Sequence, residues 1–388
     1  MPRQSFLPYS PPLICQEEID EVVDTLRSNW ITTGPKTKAF EVQFGEYLGA
    51  PSGTSLMLNS CTAGLHVALV TLGIGPGDEV IVPTLTFAAT ANVVEHVGAK
   101  PVLVDVLPDT LCIDPEAVRR AVTPATRAII PVHYAGHPAE LDELAAIAWE
   151  HGLAIVEDAA HAVPAKFKGK LIGSGSNFAS FSFYATKNMT TSEGGALMGP
   201  PELLERARVT ALHGMSADGW NRYEKTGSWC YDIVTPGFKY NMTDIQAALG
   251  KHQLRRLDGF HQRRREISSR YCRAFSAEEA LEVPVELDYV SSAWHLYVLR
   301  LRPERLTIDR DRFMRILNEL NIGTSVHFIP LHLMSFYRQK YGYRPEQFPV
   351  ASDSFERMLS IPLNPGLTEQ DVQDVMSAVL ETVDRHRA

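Results

Sequence analysis

Apolar positions along the chain fall into two alternating periods. From Glu17 to about Ser28, residues Ile19, Val22, Val23 and Leu26 recur at helical spacing and predict an amphipathic helix. Thr37–Leu48 predicts a second helix, after the rigid turn Gly34-Pro35. From Ser55 onward, short apolar runs are separated by helix-length stretches. Ser55–Leu58, Glu79–Val82, Val102–Val106, Ala128–Val132, Leu153–Glu157 and Phe178–Phe183 are the predicted strands, and Leu65–Leu72 and Ala88–Val97 are predicted helices among them. This alternation predicts an α/β fold with a large mixed, mostly parallel sheet covered on both faces.

The pattern changes in the last third. Residues 201–260 are helical at both ends around an irregular middle, Gly214–Gly237. Arg263-Arg264-Arg265 falls inside a predicted helix of about 20 residues and is expected on a solvated face. His295–Leu301 and Thr324–Phe328 predict strands, while Asp309–Leu320 and Thr368–Asp384 predict helices. The expected division is a large domain over 1–260 and a smaller α+β domain over 261–388.

Composition narrows the function classes. Hydrophobic residues make up 45 % and charged residues 21 %, an ordinary globular balance. The net charge of −9 argues against nucleic acid or an anionic membrane as a bulk partner. No apolar run approaches the roughly 20 residues needed to cross a bilayer. The scattered cysteines Cys15, Cys61, Cys112, Cys230 and Cys272 form no C-x-x-C pair, which predicts reduced thiols and a cytoplasmic protein. His133 and His137 are four apart, but Gly136 and Pro138 break the helix that a two-histidine metal face needs, so no metal site is expected.

Candidate chemistry centres on Lys187. The apolar run ending at Phe183 delivers this lysine to a Thr/Ser loop closed by Gly194-Gly195. An amine among aromatic and small residues is partly desolvated, which lowers its pKa and makes it nucleophilic towards a carbonyl. Pyridoxal 5′-phosphate asks for such a lysine, a carboxylate at its ring nitrogen, a flat group on its ring and donors for its phosphate. Asp158 ends an apolar run and can supply the carboxylate; it could equally cap the stretch that follows. His161 lies three residues on, within reach of a ring hydroxyl. Phe87 can stack on the ring or sit in the core. Thr62 and Ala63 begin a helix after a small-residue turn, where phosphate binds readily, and Ser182 adds a hydroxyl.

Together these residues resemble the DegT/DnrJ/EryC1/StrS family of nucleotide-sugar aminotransferases. The most specific pieces are Glu157-Asp-Ala-Ala-His161, the block from Ser182 to Lys187, and Thr243-Asp-Ile-Gln-Ala-Ala-Leu249. Trp30-Ile-Thr-Thr-Gly-Pro, Ile130-Pro-Val-His-Tyr-Ala-Gly136, Gly237-Phe-Lys-Tyr-Asn241 and Ala293-Trp-His-Leu296 are most similar to the UDP-4-amino-4-deoxy-L-arabinose aminotransferase branch. The resemblance implies a type I aminotransferase fold, pyridoxal phosphate, and a homodimer with active sites shared between subunits. It implies that Lys187 bonds the cofactor aldehyde and moves a proton, that Asp158 pairs with the pyridine nitrogen, and that His161 sits near the ring hydroxyl. Phe87 would stack on the ring, and Thr62, Ala63 and Ser182 would cradle the phosphate.

Many members read Gly-Tyr-Asn-x-Arg where this chain has Gly237-Phe-Lys-Tyr-Asn241, so the contact from the partner subunit is assigned to Lys239 and Asn241 together. His327 matches a segment that closes over the sugar. The implied reaction is a ping-pong transfer from L-glutamate to C4 of a nucleotide-linked 4-keto sugar. A C3-specific aminotransferase, a 3-amino-5-hydroxybenzoate synthase-like enzyme and a cofactor-binding regulator without turnover are the alternatives.

Overall fold

The short apolar runs pair into one seven-stranded sheet. The computed structural model describes residues 3–51, 53–216 and 230–388. In chain order the strands are β1 (Ser55–Leu58), β2 (Glu79–Pro83), β3 (Lys100–Val104), β4 (Thr126–Ile129), β5 (Ala154–Asp158), β6 (Lys166–Phe167), β7 (Lys170–Leu171), β8 (Phe178–Ser182), β9 (Gly195–Met198), β10 (Leu281–Glu282), β11 (Val290–Ser291), β12 (Tyr297–Leu301) and β13 (Met358–Ile361). The large sheet has the order β1-β9-β8-β5-β4-β2-β3. Only β9 runs against its neighbours. The carboxyl ends of β1, β2, β5 and β8 therefore open on one edge, where ligands of open α/β sheets bind.

Helices cover both faces of this sheet. Cys61–Thr71, Ala89–His96 and Leu141–His151 pack on one face. On the other, Phe40 and Phe44 of the helix Pro35–Tyr47 meet Phe181 and Phe183. The alternation along Phe178–Phe183 puts Phe178 in the first core and Phe181 in the second. A third core joins β12 and β13 to the closing helix Glu369–Arg385. The helix Asp244–Phe275 serves two cores: Ala247, Leu254 and Leu257 pack under the large sheet, and Ile267, Tyr271 and Phe275 enter the third core.

Four expectations are corrected. Thr324–Phe328 forms no strand; one isolated bridge joins Ser325 to Ser360, and His327 and Phe328 turn towards the sheet edge instead. The helix expected from Leu65 begins at Cys61, because Ser60 Oγ accepts the Ala63 N–H at 3.1 Å and caps it. The predicted helix around the arginine run extends over 32 residues. Within that run Arg264 is not solvated. It is 2 % exposed, and its Nη1 donates to the carbonyls of Trp294, His295 and Leu363. A triplet of arginines reads as surface charge, yet helical rotation turns the middle one inward. Of the irregular stretch Gly214–Gly237, residues 217–229 lie outside the described residues.

The Thr243-Asp-Ile-Gln motif caps two helices at once. Thr243 Oγ1 accepts the Gln246 N–H and caps its own helix. Asp244 reaches the distant start of Pro35–Tyr47, whose N-cap, Gly34, has no side chain to offer. Its carboxylate accepts the N–H groups of Gly34, Lys36 and Thr37 at 2.8, 3.1 and 2.9 Å, and the Thr37 hydroxyl at 2.7 Å. Gly34 itself is needed for close approach: a Cβ there would lie 1.9 Å from the Trp30 indole nitrogen. Replacing Asp244 by Ala strips a charged cap from buried N–H donors and should cost about 2 kcal/mol, read as a lower urea midpoint, with Asp244→Asn losing less.

Candidate active site

Four loops leave the same sheet edge and bring the chemistry together. The loop after β8 carries Lys187. Its backbone is fixed at both ends: Phe183 N–H donates to Gly194 O at 2.9 Å, and Thr191 N–H donates to Phe183 O at 2.9 Å. Gly195 lets this loop lie against the start of the helix Cys61–Thr71, since a Cβ there would fall 2.5 Å from Cys61 N. Lys187 is half-buried and ringed by protein. Loss of solvation lowers its ammonium to about 8, against the opposing pull of the Asp158 carboxylate.

Asp158, at the end of β5, is buried. Its Oδ2 accepts the Thr90 hydroxyl at 2.8 Å and its Oδ1 accepts the Ala160 N–H at 3.2 Å. Burial still raises its pKa; Thr90, Ala160 and Lys187 oppose that rise without cancelling it. The Cys61 thiol donates to Ser180 O at 3.2 Å and stands 3.8 Å from Asp158 Oδ1. Burial and the Asp158 charge push that thiol well above its usual range, so it stays protonated.

His161 follows in the same loop. It is buried, and its Nδ1 has no hydrogen-bond partner among the described residues. Its ring lies 4.3 Å from that of His295 and 5.9 Å from that of Phe328. Burial, then Lys187 and His327, keep it well below the usual histidine range. Phe87, after β2, is 62 % exposed, which rules out the core placement. Its ring meets Phe328 at 5.8 Å across the opening. His327 is half-buried, stacks on Tyr9 at 5.4 Å, and bonds through Nδ1 to Ser360 Oγ at 2.9 Å. Burial, with Lys187 nearby, lowers it to about 4.

The remaining expected residues divide. Ser182 is buried at the end of β8, with its Oγ accepting the Tyr184 N–H at 3.4 Å. Thr62 and Ala63 open the helix Cys61–Thr71, where Ser60 already holds the Ala63 N–H. Lys239 and Asn241 are not drawn into the Lys187 group within this chain. They run beside β1, through a bridge from Asn241 to Leu58; Lys239 Nζ donates to Asn241 Oδ1 at 2.5 Å, and Asn241 Nδ2 to Thr33 Oγ1 at 2.6 Å. His133, weighed as a metal ligand, is bonded instead to Glu157 Oε2 at 3.0 Å.

Several members of the cluster escaped sequence reading: Thr90, Asn188, His295, Tyr9, Phe328 and Cys61. All but Asn188 lie far from Lys187 in the chain, and Asn188 shows its role only through its bonds to Val163, Ala293 and His295. The fragment Ala293-Trp-His-Leu296 was the one signal pointing at His295.

The arrangement fits pyridoxal phosphate. The amine is poised for an aldehyde, the buried carboxylate for a ring cation and the exposed phenyl for a ring face, and an unpartnered imidazole nitrogen is left for a ring substituent. Known proteins bear on this fit. The chain is 50 % identical over 388 residues to the uncharacterized protein MJ1066 of Methanocaldococcus jannaschii, covering all of both chains. It is 48 % identical over 383 residues to the spore coat polysaccharide biosynthesis protein SpsC of Bacillus subtilis, covering 98 % of each. The structure superposes on the putative sugar aminotransferase Spr1654 from Streptococcus pneumoniae in its PMP-form, with a TM-score of 0.90, 37 % identity and 98 % of each chain covered. The PLP-form of that protein gives 0.89, at 37 % identity over 98 % of this chain and 99 % of that one. A family model spans residues 12–380, taking in the sheet edge, the Lys187 loop and His327 alike: the chain belongs to the DegT/DnrJ/EryC1/StrS aminotransferase family.

Proposed function

We propose that the protein is a pyridoxal phosphate-dependent aminotransferase that moves the amino group of L-glutamate to C4 of a nucleotide-linked 4-keto sugar. The observation that carries this reading is Lys187: a half-buried amine, lowered to about 8, beside a buried carboxylate at the open sheet edge. Bound pyridoxal phosphate supplies the aldehyde that takes up the amino group and the ring that accepts the electron pair released at the α-carbon. Lys187 would hold the aldehyde and would carry the proton to and from the reacting carbon. Asp158 holds the protonated ring nitrogen, and Phe87 covers one ring face. Thr62, Ala63 and Ser182 take the phosphate. His327, with its Nδ1 engaged by Ser360, faces the sugar.

The names carried by relatives, sugar aminotransferase and polysaccharide biosynthesis, support a sugar as acceptor. The Lys239-Tyr-Asn241 variant leans towards C4. We place the enzyme in the cytoplasm; among the described residues no helix is long and apolar enough to cross a membrane. The junction between domains is placed near residue 260, within the long helix. A homodimer completes each phosphate site with Lys239 and Asn241 of its partner.

Three measurements test this. Adding L-glutamate to the yellow cofactor-bound protein should bleach the visible band, and a keto sugar nucleotide from a 4-keto panel should restore it; Lys187→Ala should perform neither cycle repeatedly. A band that glutamate leaves untouched would remove the donor. Capture of added cofactor by the cofactor-free protein should rise about tenfold per pH unit below about 8 and level off above it, because only the neutral Lys187 amine attacks. A flat profile would separate capture from this amine. Finally, Lys187→Ala and Asn241→Ala, each inactive alone, should regain about a quarter of wild-type activity when refolded together, since half the dimers are mixed and each holds one intact shared site. No recovery would mean that the sites are not shared through Asn241.

A further inference from the structure

His295 is bound more tightly than a filler residue needs to be. Its neighbour across the site is Asn188, the residue after Lys187. Asn188 Nδ2 donates to Val163 O at 2.9 Å and to Ala293 O at 2.8 Å. Carbonyl oxygens can only accept, so both amide protons are committed and the orientation of the Asn188 amide is fixed. Its Oδ1 must then be an acceptor, and the group 3.2 Å away is His295 Nδ1. That nitrogen therefore carries a proton, which leaves the lone pair on Nε2 of the neutral ring.

The backbone of His295 is equally constrained. Its N–H donates to Ala135 O at 3.0 Å, and its own carbonyl accepts Arg264 Nη1 at 3.2 Å. The segment lies so close to the turn at Gly136 (φ +100) that a Cβ there would fall 2.9 Å from Trp294 N. Three separate elements thus fix one imidazole, and that imidazole lies 4.3 Å from His161 with the planes 37° apart. Both histidines are buried, and His161 Nδ1 has no hydrogen-bond partner among the described residues.

We propose that His295 is a positioning residue of the cofactor site: locked by Asn188 as the Nδ1-protonated tautomer, it backs the His161 ring and ties it to the loop that carries Lys187. The inference rests on His161 meeting the cofactor ring, and not on the identity of the sugar or the amino donor. The charged groups around the pair act in one direction. Burial is the largest influence against a proton on His295; His161 beside it, Lys187 from the loop after β8, Arg264 from the long helix and His327 beyond that helix act the same way, while Asp158 faces Lys187. His295 therefore stays neutral well below the usual histidine range.

The first test needs no cofactor. Imidazole nitrogen-15 NMR of the cofactor-free wild-type protein should show His295 as the neutral Nδ1-protonated tautomer, unchanged while exposed histidines titrate at about 6.5. The Nε2-protonated tautomer, or titration of His295 in the ordinary range, would overturn the proposal. The second reads the cofactor-bound protein. His295→Asn keeps a donor for Asn188, and His295→Phe keeps a ring against His161 without one. The pH midpoint of the visible band should move by about half a unit or more in His295→Phe and stay near wild type in His295→Asn. Equal midpoints in wild type and His295→Phe would overturn it, since a merely space-filling ring would give that result. Should the variants fail to fold, the wild-type tautomer alone decides. A protein that binds no cofactor yet shows the expected tautomer would fail the functional reading and leave the Asn188–His295 lock standing.

Discussion

Burying an amine and a carboxylate in one pocket sets two opposite shifts against a single attraction. Lys187 is lowered and Asp158 is raised, so for both groups loss of solvation outweighs what each gains from the other. Neither group finds in its own chain the partner that would return it to its ordinary value. An aldehyde that takes the amine and a ring cation that faces the carboxylate resolve both at once. The site thus holds two unmet demands, and on the proposed roles of Lys187 and Asp158 the cofactor that the family uses would meet the pair of them. The protonated Cys61 thiol fits the same logic, because a thiolate there would add a second negative charge beside Asp158.

That pocket exists because the sheet sends its loops to one edge. Asp158 and Ser182 end adjacent parallel strands, and Phe87 and Ser60 follow two more. A strand slipped by one residue would turn Asp158 or Ser182 to the opposite face. The register is held by residues that do no chemistry: Phe181 and Phe183 against Phe44, and the caps at Ser60 and Asp244.

This division explains what could be read in the chain. Strand-length apolar runs, helical spacing and the isolated lysine after Phe183 are local signals, and they led to Lys187, Asp158, His161 and Phe87. Contacts between distant residues have no local signal. Asp244 caps a helix some two hundred residues earlier. Arg264 looks like its two neighbours until helix rotation places it against three carbonyls. Thr324–Phe328 has the composition of a strand, yet a single bridge to Ser360 satisfies it and frees His327 and Phe328 for the site. Thr90 has no local signal either; its role lies in the bond from its hydroxyl to Asp158.

The part of the chain after the long helix contributes more than a cover. His295 and His327 both come from it, and both are held neutral close to Lys187. Two neutral imidazoles leave the lysine amine as the group whose proton moves within the working range of pH. Had either ring been cationic, it would have lowered Lys187 further and competed with the ring nitrogen for Asp158. Arg264 could have been such an intruder, since it too is buried near the site. Its guanidinium is spent on backbone carbonyls, where it fixes the segment that carries His295. The same charge that would disturb Lys187 is thereby made to hold the segment beside it.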